Sequence, residues 1–464
     1  MADVIQCISP VDSTVFAERP VASDKAVADT FRKARQAQDQ WRRLPIAERA
    51  KYCSAAVDAM LAMTDDIVPE LAWQMGRPVR FGAGELRGFA ERARHMIAIA
   101  EQALEPIDPG PKQGFKRHIS REPVGVVFTI APWNYPYLTA VNSIIPALMA
   151  GNAVVLKHAA QTILVAERFQ MAFDKAGLPE GCFQHLVLNH AQTSRIIASR
   201  LVDMVCFTGS VEAGKAMERA AAGTFIGLGL ELGGKDPAYV RPDCNMAHAV
   251  ENLVDGAFFN SGQSCCGIER IYVHRQVWDE FLGRFVELTR DLILGDPLEP
   301  ATTLGPMVKA EAAAFVRGQI GAAVRAGATA HIDPGSFSRN RENSPYMAPQ
   351  VLSNVNHQMA VMTEETFGPV VGLMAVADDR EAIGLMNDSP YGLTAAIWTE
   401  DVEAAERIGR ELETGTVFMN RCDYLDPALA WTGVKDSGRG CTLSVVGYEA
   451  LTRPKSWHLR IQTS

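Results

Sequence analysis

Two adjacent thiols close the stretch Gly256-Ala257-Phe258-Phe259-Asn260-Ser261-Gly262-Gln263-Ser264-Cys265-Cys266-Gly267. A thiolate is a strong nucleophile, whereas an unactivated cysteine packs as a small hydrophobe. Gly262 can take a positive φ or bring the backbone close to a ligand, which suits a turn that delivers a reactive group. A carboxylate, Glu231, sits in the otherwise apolar run 225–232, just before Gly233-Gly234-Lys235. Apolar surroundings raise a carboxyl pKa toward the range of a general base; the alternative is a structural carboxylate that caps a turn or pairs with Lys235. In Ala131-Pro132-Trp133-Asn134-Tyr135-Pro136 two prolines fix the chain around Asn134. Its amide can donate to an oxyanion, or the residue can simply form a turn. Phe207-Thr208-Gly209-Ser210-Val211-Glu212-Ala213-Gly214 passes from a strand into a helix, where backbone N–H groups can hold phosphate. Its G-x-x-x-x-G spacing matches neither common phosphate-loop pattern, so alone it reads better as a plain strand–helix turn.

Those groups must be positioned by elements legible in the apolar pattern. Residues 23–105 repeat at helical spacing, with Ser23 and Asp24 as a cap and Pro45 as a break. The stretch 104–114, rich in proline and glycine, reads as a connection or projecting arm, and 116–121 as a half-exposed strand. Buried-strand runs at 124–130, 152–156, 185–188 and 204–207 alternate with helices, 161–176 and 191–200 among them. That rhythm predicts a doubly wound parallel sheet, which binds ligands at the carboxyl ends of its strands. A second α/β segment starts after Gly233-Gly234, with strands at 271–273 and near 351 and helices at 277–292 and 402–412. The chain is expected to cross back near its C-terminus, and the alternating residues 456–462 read as an edge strand able to pair across a subunit interface.

Composition narrows the partners. The 464 residues carry a formal charge of −9 and no basic run, which excludes a nucleic-acid surface. Nine cysteines, an odd and irregularly spaced set, point to free thiols in a reducing cytoplasm rather than a disulfide framework. No Cys-x-x-Cys or His-x-x-x-His pair occurs, so no protein-held metal is expected. The N-terminal residues lack a basic region followed by an apolar one, and Asn142, Pro146, Gly151 and Asn152 interrupt the apolar window 135–156, so neither export nor membrane insertion is expected.

Taken in order, Pro132-Trp133-Asn134, Glu231-Leu232-Gly233-Gly234-Lys235, Asn260-Ser261-Gly262-Gln263-Ser264-Cys265, Glu364-Glu365-Thr366-Phe367-Gly368-Pro369, Asn387-Asp388-Ser389-Pro390-Tyr391-Gly392-Leu393 and Lys435-Asp436-Ser437-Gly438 resemble the NAD(P)-dependent aldehyde dehydrogenase superfamily. The resemblance implies an α/β fold with a Rossmann-like cofactor domain (1–104 and 123–233), an α/β catalytic domain (234–435) and a small β oligomerisation extension (105–122 and 453–464). It implies Cys265 as nucleophile, Glu231 as general base, and Asn134 with the Cys265 N–H as oxyanion hole. Trp133, Lys157, Gly209, Ser210, Glu365 and Phe367 fall on positions that surround NAD. Thr139, Asn142, Ser264, Leu425 and Trp431 fall where the substrate passes, and a homodimer or homotetramer is implied.

The implied reaction is non-acylating: an aldehyde adds to the thiol, hydride leaves for the nicotinamide, and water activated by Glu231 releases the acid. Two readings compete with it, a catalytically idle member of the fold and a cofactor-independent cysteine esterase. The esterase needs a histidine base, and none of the ten histidines sits in a motif that suggests one. Two stretches depart from the family pattern. Lys157-His158-Ala159-Ala160 stands where many members carry Lys-Pro-Ser-Glu. Losing that glutamate removes repulsion of a 2′-phosphate and frees Lys157 to pair with it, so NADP is expected to be usable alongside NAD. The loop 420–433 replaces a common Pro-Phe-Gly-Gly lead and places Arg421 among Asp423 and Asp426, where it can bridge to either or meet a substrate carboxylate. The substrate reads as an aldehyde and no further.

Overall fold

A computed structural model describes residues 3–463; Met1, Ala2 and Ser464, at the ends of two expected segments, lie outside the described residues. Two mainly parallel sheets divide the chain. The strand Val126–Ala131 is buried at every position, as a run without polar alternation requires, and it sits inside the first sheet. Ala153–His158 pairs with it on one side and Met204–Thr208 on the other. Phe183–His185 extends the sheet past the former, Gly227–Glu231 past the latter, and Gly438–Arg439 closes the edge antiparallel.

The strand order therefore reverses at Val126–Ala131. In sheets of this kind ligands bind at such a switch point, here at the carboxyl ends of that strand and of Met204–Thr208. Asn134 follows the first strand and Gly209 the second. The expected doubly wound sheet is present, with one shift: the strand expected at 185–188 runs Phe183–His185. Leu186 N still donates to Leu156 O, but the chain then turns out to Asn189, whose capping box with Gln192 starts the helix His190–Ala198.

The second sheet is ordered Thr329–Ala330, Gln350–Ser353, Val370–Val376, Ile268–His274, Asp236–Val240, Thr394–Trp398, Thr416–Met419, parallel except for its first strand. Only Leu232 to Lys235 separate Glu231, the end of a strand in the first sheet, from Asp236, the start of one in the second. The chain returns to the first sheet through Gly438–Arg439, which pairs with Leu230 and Glu231.

Helices cover both faces of the first sheet. Asp24–Trp41 is capped by Ser23, whose Oγ accepts from Ala26 N at 3.1 Å. Pro136–Met149 is apolar nearly all round and almost wholly buried, which accounts for the interrupted hydrophobic window. Among the described residues no helix is long and apolar enough to cross a membrane. An N-terminal hairpin, Val4–Ile8 with Val15–Pro20, was not legible as strand because its positions are mostly exposed. The terminal strand Thr452–Arg460 pairs with the arm Phe115–Pro123 of its own chain, from Thr452↔Pro123 to Arg460↔Phe115. One of its edges is thus already taken.

Candidate active site

The helix Met246–Phe258 delivers the cysteine turn. Asn260, Ser261 and Gly262 follow with φ of 52°, 58° and 70°, three successive left-handed residues. Such a turn persists only where its surroundings hold it. Ser261 Oγ donates to Gly305 O at 2.8 Å. Gln263 Nε2 donates to Asn260 O at 3.0 Å, and Gln263 Oε1 accepts from Val308 N at 2.8 Å. A Cβ on Gly262 would lie 2.3 Å from Gly368 O. Gly262→Ala is expected to destabilise the fold by about 1–3 kcal/mol from dihedral strain alone. Urea unfolding checks this, and an unchanged midpoint would show that the turn tolerates a side chain.

Asn134 is buried and pinned to the same turn. Its Nδ2 donates to Gln263 O at 3.2 Å, two residues before Cys265, and its own carbonyl accepts from Asn260 Nδ2 at 3.2 Å. Arg77, paired with Glu85 in a buried ion pair, donates to that carbonyl as well, at 2.5 Å. One Nδ2 hydrogen of Asn134 is thereby engaged and the other is left to give. Gly234 backs Cys265 from the sheet junction, where a Cβ would meet Cys265 O at 2.7 Å.

Cys265 and Glu231 line a single cavity of about 500 Å³. Thr139 and Asn142 of the helix Pro136–Met149, Ser264, Leu425 and Trp431 line it too. Glu231 accepts from Thr208 Oγ1 at 3.0 Å and from Thr442 Oγ1 at 2.5 Å. Burial pushes its carboxyl up, against the opposing pull of those two hydroxyls and of Arg92. The pairing of Glu231 with Lys235 considered above does not form. Lys235 Nζ sits 2.5 Å from Glu269 Oε2 instead, inside the second sheet.

Cys266 is buried, and its Sγ donates to Asp423 Oδ1 at 3.0 Å, an oxygen that also accepts from Ser264 Oγ at 2.9 Å. Its thiol is free and is held well above the ordinary value by hydrogen bonding with the Cys265 thiol first, then by burial and Asp423. Arg421 bridges to neither Asp423 nor Asp426. Its guanidinium lies 3.4 Å over the Tyr424 ring at the exposed surface, and it does not line the cavity. Stacking wins because the adjacent aromatic face is within reach of an exposed cation that gains little from a solvated ion pair.

A second group of sequence-selected residues stands at the strand ends of the first sheet. Trp133 and Phe367 pack edge to face with centroids 5.6 Å apart. Glu365 Oε1 accepts from Gly234 N at 3.2 Å, and the carboxylate sits against Gly233, where a Cβ would fall 2.2 Å from that oxygen and make the Glu365 side chain shift. Burial raises Glu365 to about 7. Glu269 anchors this segment, accepting from Thr366 N at 2.8 Å and Phe367 N at 2.9 Å. Ser210 caps the helix Val211–Ala221 directly after Gly209. Lys157, near the end of Ala153–His158, is half-buried and has no ion-pair partner among the described residues; burial pulls its ammonium down. His158 beside it is neutral, pushed to about 3 by burial, and is spent on Thr162, Ala159 and Pro136.

Sequence reasoning missed several members of this site: Thr208, Thr442, Asp423, Glu269, the Arg77–Glu85 pair and Arg92. None stands at an informative spacing from its partner, and only Thr208 and Asp423 fell inside stretches already singled out.

The cysteine turn and the buried carboxylate Glu231 meet in one cavity, next to the strand-order reversal of the first sheet. A model of the aldehyde dehydrogenase family matches residues 2–457, and the chain belongs to that family. It is 34% identical over 418 residues to the succinate-semialdehyde dehydrogenase [NADP(+)] of Mycobacterium avium (strain 104), covering 88% of this chain and 87% of that protein. It is 35% identical over 412 residues to an aldehyde dehydrogenase of Paenarthrobacter nicotinovorans, covering 88% and 89%. Among solved structures it superposes on the NADP-dependent glyceraldehyde-3-phosphate dehydrogenase of Bacillus halodurans C-125, complexed with NADP. That match has a TM-score of 0.92 at 32% identity, covering 99% of this chain and 96% of the other.

Proposed function

We propose that this chain oxidises an aldehyde to its carboxylic acid through a thioester on Cys265, with Glu231 activating the water that releases the product. The observation that carries the reading is the meeting of Cys265 and Glu231 in one cavity, with the Asn134 amide tied to Gln263 beside them. The Cys265 sulfur adds to the carbonyl carbon and a thiohemiacetal forms. Its oxyanion takes hydrogen bonds from the free Nδ2 hydrogen of Asn134 and the Cys265 N–H. A donor of this kind contributes about 3–4 kcal/mol to transition-state stabilisation. After oxidation Glu231 takes a proton from water, which attacks the thioester and frees the acid. A base for water makes the enzyme non-acylating. No histidine lines the cavity, which disfavours the cofactor-independent esterase.

The strand ends of the first sheet fit a nicotinamide dinucleotide. Gly209 and Ser210 lead into a helix N-terminus of the kind that holds phosphate, and Lys157 offers an unpaired ammonium. Gly233 admits the Glu365 carboxylate closely, beside the Trp133–Phe367 contact. When bound, the dinucleotide supplies the hydride acceptor. With alanine at 160, Lys157 meets no competing carboxylate, and the NADP-named relatives support the use of NADP; the lost repulsion bars neither nucleotide, so NAD is accepted as well. Lys157→Ala is expected to raise KM for NADP about tenfold to a hundredfold more than KM for NAD, the worth of one charge-assisted bond. Equal effects on both nucleotides would remove Lys157 from 2′-phosphate recognition.

The arm Phe115–Pro123 and strand Thr452–Arg460 form a two-stranded ribbon, which is marginal alone. Packing by further copies, in a homodimer or homotetramer, completes it. An aldehyde panel followed at the absorbance of reduced nicotinamide, with each nucleotide in turn, tests the whole reading. Absence of reduction with every aldehyde would refute it.

A further inference from the structure

The cavity wall holds a cation that the reaction above does not use. Arg92 belongs to the helix Val79–Ala98 and is 8% exposed. It has no ion-pair partner among the described residues. The nearest buried acid on its helix, Glu85, is committed to Arg77 and to the N–H groups of Tyr137 and Leu138. Glu231 is held by its two threonines. Arg92 spends only Nη1, on Leu138 O at 2.7 Å and on Asn142 Oδ1 at 3.4 Å.

A buried guanidinium left unpaired is costly, and burial indeed pulls its pKa down. Beside it Asn142, 2% exposed, has an Nδ2 buried without any hydrogen-bond partner. The bond from Arg92 fixes Oδ1 on the arginine side, so Nδ2 is the donor left over. Both residues line the cavity that holds Cys265. Two unspent donor groups, one of them charged, at one place in a substrate cavity match the two oxygens of a planar anion. Among the other charges that line the cavity, Asp423 is tied to Ser264 and Cys266, while Arg80, Arg87, Glu91 and Asp255 are exposed.

We propose that Arg92 and Asn142 form a carboxylate subsite, and that the enzyme selects short aliphatic aldehydes that end in a carboxylate. The inference rests on the aldehyde-oxidising reading above and names its substrate class. Leu425 and Trp431 supply apolar walls for the methylenes between the two ends, and the carboxylate neutralises the buried guanidinium on binding.

The test uses the intact enzyme, with succinate semialdehyde, butanal and glyceraldehyde 3-phosphate as substrates. The ratio of kcat/KM for succinate semialdehyde to that for butanal is expected to fall about a hundredfold in Arg92→Gln, the loss of one desolvated charge pair. Arg92→Lys keeps part of the ratio. A second readout needs no turnover: butyrate slows iodoacetamide alkylation of Cys265 in the wild type, butyramide does not, and Arg92→Gln loses the protection. The proposal is overturned if the ratio is unmoved because both rates fall together, which would make Arg92 an electrostatic partner of Cys265 and Glu231 only. It is also overturned if the phosphate ester, rather than the carboxylate, is the substrate whose preference depends on Arg92, or if butyrate protects wild type and variant alike. Butyrate protection that depends on Arg92, in an enzyme that oxidises no aldehyde, would sustain the subsite while sinking the reaction.

Discussion

Cys265→Ala is expected to lower kcat/KM for aldehyde-dependent nucleotide reduction on the order of 10⁴-fold or more, as removal of a covalent nucleophile does elsewhere. The adjacent thiol offers no rescue. Cys266 donates to Asp423, is buried, and keeps those two restraints when its hydrogen bond to Cys265 is gone. A thiol held protonated attacks poorly. The fold is expected to survive, because Cys265 is only partly buried and alanine removes one sulfur without stranding a buried donor. Alkylation supplies the companion measurement: iodoacetamide labels one fast thiol in the wild type and none in the variant. Full activity in Cys265→Ala would end the covalent mechanism.

Glu231→Gln separates the two halves of the reaction. If the carboxylate serves water, the first turnover still reduces about one equivalent of nucleotide per site, as a burst. Steady-state turnover then falls about 10²- to 10⁴-fold, the usual worth of a general base. The variant accumulates a thioester on Cys265, visible by mass spectrometry of the quenched protein. Slowing of the first turnover by the same factor, with no burst, would instead make Glu231 the base for the thiol. The pH dependence follows from burial. The Glu231 carboxyl is raised above its ordinary 4.5, so it is protonated and idle as a base until the pH passes its raised value. Wild-type turnover limited by hydrolysis therefore climbs with pH above that ordinary value, and Glu231→Gln loses the climb.

Much of this was legible in one dimension because some demands are local. The run at 124–130 reads as a buried strand since a strand enclosed on both faces needs apolar residues without alternation. Gly262 reads as a turn glycine because only it avoids the carbonyl of Gly368. The strand at Phe183–His185 was misplaced because Leu186 and Leu188 are buried after the chain has left the sheet, and apolarity alone does not separate a strand from a packed loop. Arg421 was read by its neighbours in sequence, yet its partner is a ring, Tyr424, and not either aspartate.

The order of motifs by itself pointed to Asn134, Glu231 and Cys265 as members of one site, and the structure sets Cys265 and Glu231 on one cavity wall with Asn134 bonded to Gln263; the alternation of strand and helix determined the kind of sheet that carries them. Only the tertiary structure decided who holds whom: Lys235 goes to Glu269, Glu231 to Thr208 and Thr442, and Arg92, among the described residues, forms no ion pair but bonds Leu138 O and Asn142 Oδ1. The physical reason is range. Propensity and periodicity act between residues a few positions apart, whereas pairing of buried charges is settled by desolvation among side chains that the fold brings together from distant parts of the chain.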